Sequence, residues 1–287
     1  MAAMRRFLLL CLPAVALAED AFPERLKAFE EALPFTLEAG GQARVYPAVE
    51  ALAATGDIRA VAPLAAYLLE TITSERRLFE DARKIQKEVA DSSQRAETLT
   101  KELKQLELKE KAGDRTVGPA IEQRTSERSR CQRQCDQLMK SLEQIDRTIG
   151  FLRELRGRLA DSCIALLKGR EGAEAVSGIE GVRRALDPAD RDQGLFLVRI
   201  LAASDVEQAE GQMLEILSAP KADDAVRLRA QYALARHLTR RGAETLLRLW
   251  ERDPERAGEH ARHVLSLAAK RKLETLADAR AWVASLP

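Results

Sequence analysis

The sequence predicts an all-α protein: a short α-solenoid body of stacked helix pairs carrying a long antiparallel coiled-coil hairpin as an insertion. Three observations predict it. In an outgoing arm, Leu78, Ala82, Ile85, Val89, Ser92, Ala96, Leu99, Leu103 and Leu106 alternate steps of four and three, the roughly 3.5-residue spacing that winds helices left-handedly about one another. A return arm keeps the same alternation through Ile121, Arg124, Arg128, Cys131, Cys135, Leu138, Leu142, Ile145, Ile149, Leu152, Arg156, Leu159, Cys163 and Leu166. Third, aromatic residues are only 4% of the chain while charged residues are 32%, the balance of long helices and repeats with thin cores.

In chain order, residues 1–18 read as a secretory signal, with Arg5 and Arg6 before an apolar run from Phe7 to Val15 and a small-residue cleavage site at Ala16-Leu17-Ala18. The mature chain is expected to begin near Glu19, and an uncleaved anchor is the other reading. The run is too short to span a bilayer comfortably. Cys11 lies inside it without the small residue that lipoprotein cleavage requires. Removing Arg5 and Arg6 from 46 bases leaves the mature chain within one charge of neutrality against 45 acids. Neutrality argues against a generic polyanion binder.

Residues 19–73 are expected to hold a lead-in helix, closed near Gly40-Gly41, and then a helix pair. Within that pair, Val45 to Leu68 reads as helix, tight turn at Thr55-Gly56-Asp57, and second helix. Gly56 relaxes the turn, and the Asp57 side chain can cap the helix that follows. Val61, Leu64 and Leu68 are in phase with Leu78, and neither Gly nor Pro interrupts the chain from Leu64 to Ala112, so one helix can serve both pair and coil.

Residues 74–168 form the hairpin. The coil core is assigned to Leu78, Ile85, Val89, Leu99, Leu103, Leu138, Leu142, Ile145, Ile149 and Leu152, and the tip to residues 113–119, where glycine and proline end helices. Acids precede bases by four residues along the outer faces, as in Glu97 and Lys101 or Glu143 and Arg147. Each pair contributes only about 0.2 to 0.5 kcal/mol. Their even mixing describes a solvated surface with no single-sign patch for nucleic acid. One register sets Leu103 by Cys131, Leu99 by Cys135, Ala96 by Leu138 and Ile85 by Ile149. A slip by one heptad and a parallel coil between chains remain open. Each arm would reach on the order of 60 Å at about 1.5 Å per residue.

After cleavage three cysteines remain, Cys131, Cys135 and Cys163, all on the return arm. An odd count leaves one thiol without an intrachain partner, and a disulfide between positions four apart in a helix is strained. They read as small buried core residues, with inter-chain bridging or metal capture as the other readings.

Residues 169–194, rich in glycine, are expected to be a looser connection with a short helix at Ile179 to Leu186. Residues 195–287 hold further helix pairs: Leu195 to Leu217, Arg229 to Trp250 with a turn at Arg240-Arg241-Gly242, and Glu259 to Leu286. Pairs that recur at roughly 30 to 45 residues describe a helical solenoid, so the N-terminal pair is expected to pack on the C-terminal set. Trp250 and Trp282 read as plugs between pairs.

The phrase Ala51-Leu52-Ala53, Gly56-Asp57, Arg59-Ala60-Val61, Pro63-Leu64 resembles a HEAT repeat, in the short form also found in phycobilisome lyases. The resemblance implies that Asp57 and Arg59 hold polar positions linking neighbouring units, and that the body is a HEAT-like α-solenoid with a binding surface. It implies no activity. Arg229 to Trp250 is a weaker match, in which the Gly-Asp turn is lost.

No phosphate-binding glycine loop, nucleophile elbow, His-Glu-x-x-His or Cys-x-x-Cys pattern occurs. His260 and His263, three apart beside Glu259, could face one metal, but no third ligand completes a signature. Arg236, Arg240, Arg241, Arg248 and Arg252 crowd the C-terminal pairs as a candidate basic ridge for an acidic partner, a polyanionic glycan or a lipid headgroup. Acids interleave them, and a solvated face is the competing reading.

The expected function is therefore that of an exported, non-enzymatic interaction scaffold in the periplasm or cell envelope. It would bind a protein partner through the helical surface and the coil, with no cofactor, no nucleic acid and no stable transmembrane segment after cleavage. A self-assembling envelope protein that homodimerises through the coil is the alternative, and a metal-dependent enzyme using His260 and His263 is a third.

Overall fold

A computed structural model describes residues 21–38, 40–204 and 207–287. Among the described residues the regular structure is helical throughout, with no strand, so the protein is all-α. No helix there is long and apolar enough to cross a membrane. The expected leader, residues 1–18, lies outside the described residues. The chain divides into two compact units: the described residues up to Ile72 together with Glu154–Pro287, and Thr73–Arg153.

The first unit opens with helix α1 (21–32), a 3-10 turn at Leu33–Leu37 and helix α2 (Gln42–Ala53). Phe29 of α1 meets Tyr67 edge-on at 5.4 Å, and the Tyr67 hydroxyl bonds to Thr36, which ties the lead-in to helix α3 (Val61–Lys111). Burial pushes the Tyr67 phenol up to about 12. After α2 the chain reverses at Gly56, whose φ of +67° is cheap only for glycine. Asp57 then accepts from the Arg59 amide at 2.8 Å, so its side chain caps the 3-10 turn Ile58–Ala60 that leads into α3.

Helix α4 (Gly118–Leu167) ends in this unit, and α5 (Gly172–Ala185) follows it. Here the loose connection expected over residues 169–194 is corrected. The helix there is longer and starts earlier than Ile179, and its Ala175, Ile179 and Val182 are buried. Its glycines are contact points: a Cβ at Gly178 would strike Leu167 and Ile58, and one at Gly181 would press on Ala62. Composition alone made them look like linker residues.

Helices α6 (Arg191–Ala203), α7 (Glu207–Ser218), α8 (Asp224–Arg236), α9 (Arg240–Arg252), α10 (Ala257–Ala268) and α11 (Leu276–Ala284) follow. They contact in alternation: α6 lies on α8 and α8 on α10, while α7 lies on α9 and α9 on α11. Side chains start four of them, since Asp190, Asp223, Thr239 and Thr275 each accept from an amide in the first turn. Such a cap stabilises a helix by about 1 kcal/mol.

The turn expected at Arg240-Arg241-Gly242 is also corrected. The chain reverses at residues 237–239, and all three residues already belong to the first turn of α9 behind the Thr239 cap. Gly242 makes room where a turn was expected to need freedom. A Cβ there would meet the Glu210 carboxyl of α7, which accepts from the Thr239 amide at 2.8 Å and hydroxyl at 2.6 Å.

The second unit contains the remainder of α3 and α4, which run antiparallel. Gly113, at φ +99°, ends the outgoing helix, and Asp114 caps a 3-10 turn at Arg115–Val117 by accepting from the Thr116 amide at 3.0 Å. The reversal is therefore earlier than the expected 113–119. Pro119 sits in the first turn of α4, where its missing N–H removes no helical bond. Starting the return early moves the register by one heptad. Cys135 lies against Ser93 and the Val89 carbonyl, not beside Leu99, and Arg124 reaches Glu102 at 3.1 Å.

Of the stripe residues, Ala82, Ser92, Leu99, Leu103, Cys131, Cys135, Ile149 and Leu152 are buried. Leu78, Ile85, Val89, Leu138, Leu142 and Ile145 are half-buried. Arg128, expected to face inward, is exposed. A guanidinium costs too much to leave unpaired in the seam, and Arg124 beside it is held by Glu102 and by Glu127 at 2.8 Å.

Candidate functional site

One surface feature of the first unit is the groove between α8 and α10. Helix α8 turns its small and aliphatic residues inward, burying Val226, Ala230, Ala233 and Leu234. Two large apolar side chains fall on the opposite face: Leu228 is 48% exposed and Tyr232, one turn on, is 47% exposed. These two are out of phase with the buried stripe. That offset is the one sequence signal that marks them, and reading only for core periodicity passes over it.

The polar groups of the groove are held by protein. Buried Arg227 donates to Asp224 at 2.6 Å and to the carbonyls of Ala219 and Pro220 at 2.9 and 3.2 Å, closing the turn before α8. Buried Gln231 shares a 2.8 Å hydrogen bond with His260 Nδ1, which links α8 to α10. His263 meets the Tyr232 ring edge-on at 6.2 Å. Both histidines of the candidate metal pair are thus engaged with α8. Among the described residues, no three His, Cys, Asp or Glu side chains gather as a ligand set. The groove encloses about 540 Å³, with Leu228 and Leu273 as its apolar lining and Arg262 and Lys272 at its edge.

The basic ridge is divided. Arg236 ends α8, in the row with α6 and α10, whereas Arg240, Arg241, Arg248 and Arg252 lie on α9, in the row with α7 and α11. Arg240 bonds Glu244 at 3.3 Å and the Leu286 carbonyl at 3.4 Å, and Arg248 bonds the Glu244 carbonyl at 3.4 Å. Spacing along one helix-turn-helix could not show that successive helices belong to different rows.

At the N-terminal turn, Asp57 and Arg59 pair with each other, the Arg59 Nε reaching the two carboxylate oxygens at 3.0 and 2.9 Å. This guanidinium holds the Asp57 carboxyl below its usual range. Arg59 also stacks on the Phe22 ring at 4.5 Å, and Arg170, just past α4, donates to the Gly56 carbonyl. The arrangement can fix a turn and join distant segments. It brings no nucleophile and base together.

A second polar cluster was not found from sequence. Arg158 lies over the Tyr46 ring at 4.1 Å and pairs with Glu50 at 2.6 Å and Glu154 at 3.1 Å. Burial first, and Glu154 second, push the Tyr46 phenol up to about 12. A protonated phenol and a paired guanidinium make a structural tie between α2 and α4. The three cysteines among the described residues are free thiols and buried; enclosure pushes the Cys163 thiol up to about 12, far from a reactive thiolate. Comparison of the chain with protein-family models, curated proteins and solved structures finds no match, so its identity rests on the geometry above.

Proposed function

We propose that this chain is a non-enzymatic interaction scaffold: a HEAT-like α-solenoid with an inserted antiparallel coiled coil, acting by contact with a protein partner after export to the periplasm or cell envelope. The observation that carries the reading is the alternating stack, α6 on α8 on α10 and α7 on α9 on α11. Helices stacked this way make extended side-chain surfaces whose interior contacts are already satisfied. The polar clusters support it too, because their polar groups are engaged with each other, Arg59 with Asp57, Arg158 with Glu50 and Gln231 with His260. Export rests on residues 5–18 alone.

A site-specific photo-crosslinking residue at Leu228 on the stack and at Met139 on the long helices tests this in the producing cell. A discrete adduct with a different protein at either position is the expected result. Adducts only with a second copy of the chain would replace the scaffold by the self-assembling alternative. That alternative has its own support in exposed Leu108, Met139 and Phe79 on the long helices. Burial of Cys131 and Cys135 weighs against it in its disulfide-linked form.

A further inference from the structure

We propose that the outer face of α8 and α10 docks an acidic segment of the protein partner, one that seats an apolar side chain between Leu228 and Tyr232. This rests on the scaffold reading and adds the chemistry of what the scaffold holds. Three observations converge on the face. The first is the apolar pair: Leu228 and Tyr232 are exposed one turn apart, and the Tyr232 ring meets His263 edge-on. A tyrosine gives a large contact area with only two side-chain torsions to order on binding.

The second is charge. Several bases of the stack are neutralised within the chain, as Arg227 is by Asp224, Arg240 by Glu244, Lys272 by Glu274 and Arg280 by Glu251. Three bases near the apolar pair are not. Arg229 and Arg236 share the outer face of α8 with Tyr232, and Arg262 lines the groove beside Leu228. All three are exposed, and no carboxylate of the described residues lies within ion-pair distance of them. Asp224 and Glu259 are the acids that line the groove; Asp224 is paired with Arg227, and the three cations outweigh Glu259.

The third is that the groove floor is set. Gln231 and His260 satisfy each other and Arg227 closes the preceding turn, so a ligand meets a surface that needs no rearrangement. An apolar anchor ringed by uncompensated cations fits an acidic chain with interspersed aliphatic residues. A uniformly charged polyanion would leave Leu228 and Tyr232 uncovered.

The test uses the full chain and a fluorescent peptide of Glu and Asp carrying two Leu residues four apart. The controls are the same peptide with Gln and Asn for the acids, and polyglutamate without Leu. Expected is saturable binding of the acidic Leu peptide alone, lost at about 1 M salt where the screening length falls to about 3 Å. Tyr232→Ala and the double variant Arg229→Glu/Arg262→Glu should each weaken it at least about tenfold, a step of about 1.4 kcal/mol. These side chains are exposed, and unchanged circular dichroism establishes that the variants fold. Lack of binding, equal binding of either control, or wild-type affinity in both variants overturns the proposal. If a heterologous crosslink then persists at Met139, only the docking face falls; if no heterologous adduct forms at either position, the scaffold falls as well.

Discussion

The two compact units are built from the same kind of helix and differ in how completely each encloses its apolar residues. In the unit that ends the chain, Leu52, Leu64, Leu68, Leu155, Leu159 and Leu167 have no solvent contact. In Thr73–Arg153, Leu99, Leu103 and Ile149 keep a rim of exposure and six further core positions are half-buried; only Leu152, at its end, is fully enclosed. Two helices cover one side of each other, and the stems of long charged side chains complete the cover. Stacked helices are covered from several sides. Full burial of a Leu contributes about 1.5 to 3 kcal/mol, so stability per residue is concentrated in the first unit, and local opening is expected to favour the second.

The sharpest way to break that contrast is Leu99→Asp. A carboxylate in the seam with no base to meet it costs several kcal/mol, about 3 to 5 in measured cases. The second unit should lose its helix while the first keeps a cooperative thermal transition. One transition that removes all the helix at once would mean the units share a single stability. Leu142→Asp should behave alike, to a smaller degree because that site is half-buried.

Next in size is Leu159→Ala, expected to cost about 2 to 5 kcal/mol by leaving a cavity in the thick core. The same truncation at Leu142 should cost well under half of that, measured by denaturant unfolding. Equal losses would erase the difference in enclosure.

Thiol labelling sharpens the contrast without mutation at the core. Cys163 is fully enclosed and its thiol is pushed up to about 12, whereas Cys131 and Cys135 lie in the thin seam. Under native conditions Cys131 and Cys135 should react at least about tenfold faster than Cys163, because they need only local opening. The reverse order, read by mass spectrometry of labelled peptides, would place the weaker structure in the first unit.

The smallest effect is at the N-terminal turn. The Asp57 carboxyl is held below its usual value by Arg59. Its stabilisation is therefore complete above the unfolded carboxylate value near 4 and fades as pH falls through the lowered native one. Asp57→Asn keeps a capping side chain and removes only the charge facing Arg59, so it should cost less than about 1 kcal/mol at neutral pH and flatten the acid limb of the stability curve. An unchanged acid limb would show that Arg59 does not act on this group.

Much of this was legible in the sequence, and the misses have physical causes. The stripe from Leu78 to Leu106 could be read because helical period is a local property. The register could not, because it depends on where the reversal is centred, and Pro119 proved compatible with a helix start. Gly178, Gly181 and Gly242 looked like punctuation in composition and act as clearances for Leu167, Ala62 and Glu210. At the candidate site, Arg236, His260 and His263 stood out by residue type. Leu228 and Tyr232 did not, since an apolar residue is notable only once its exposure is known.

The sequence by itself determined that the chain is helical, where its long apolar stripes run and how its outer faces are charged. Those properties follow from neighbours three and four residues apart, whose geometry the helix imposes. Only the tertiary structure decided that Cys135 faces Ser93, that Arg236 and Arg240 belong to different rows, and that Leu228 and Tyr232 stand exposed. Each of these depends on which helices meet, and that is set by the burial of surfaces far apart along the chain.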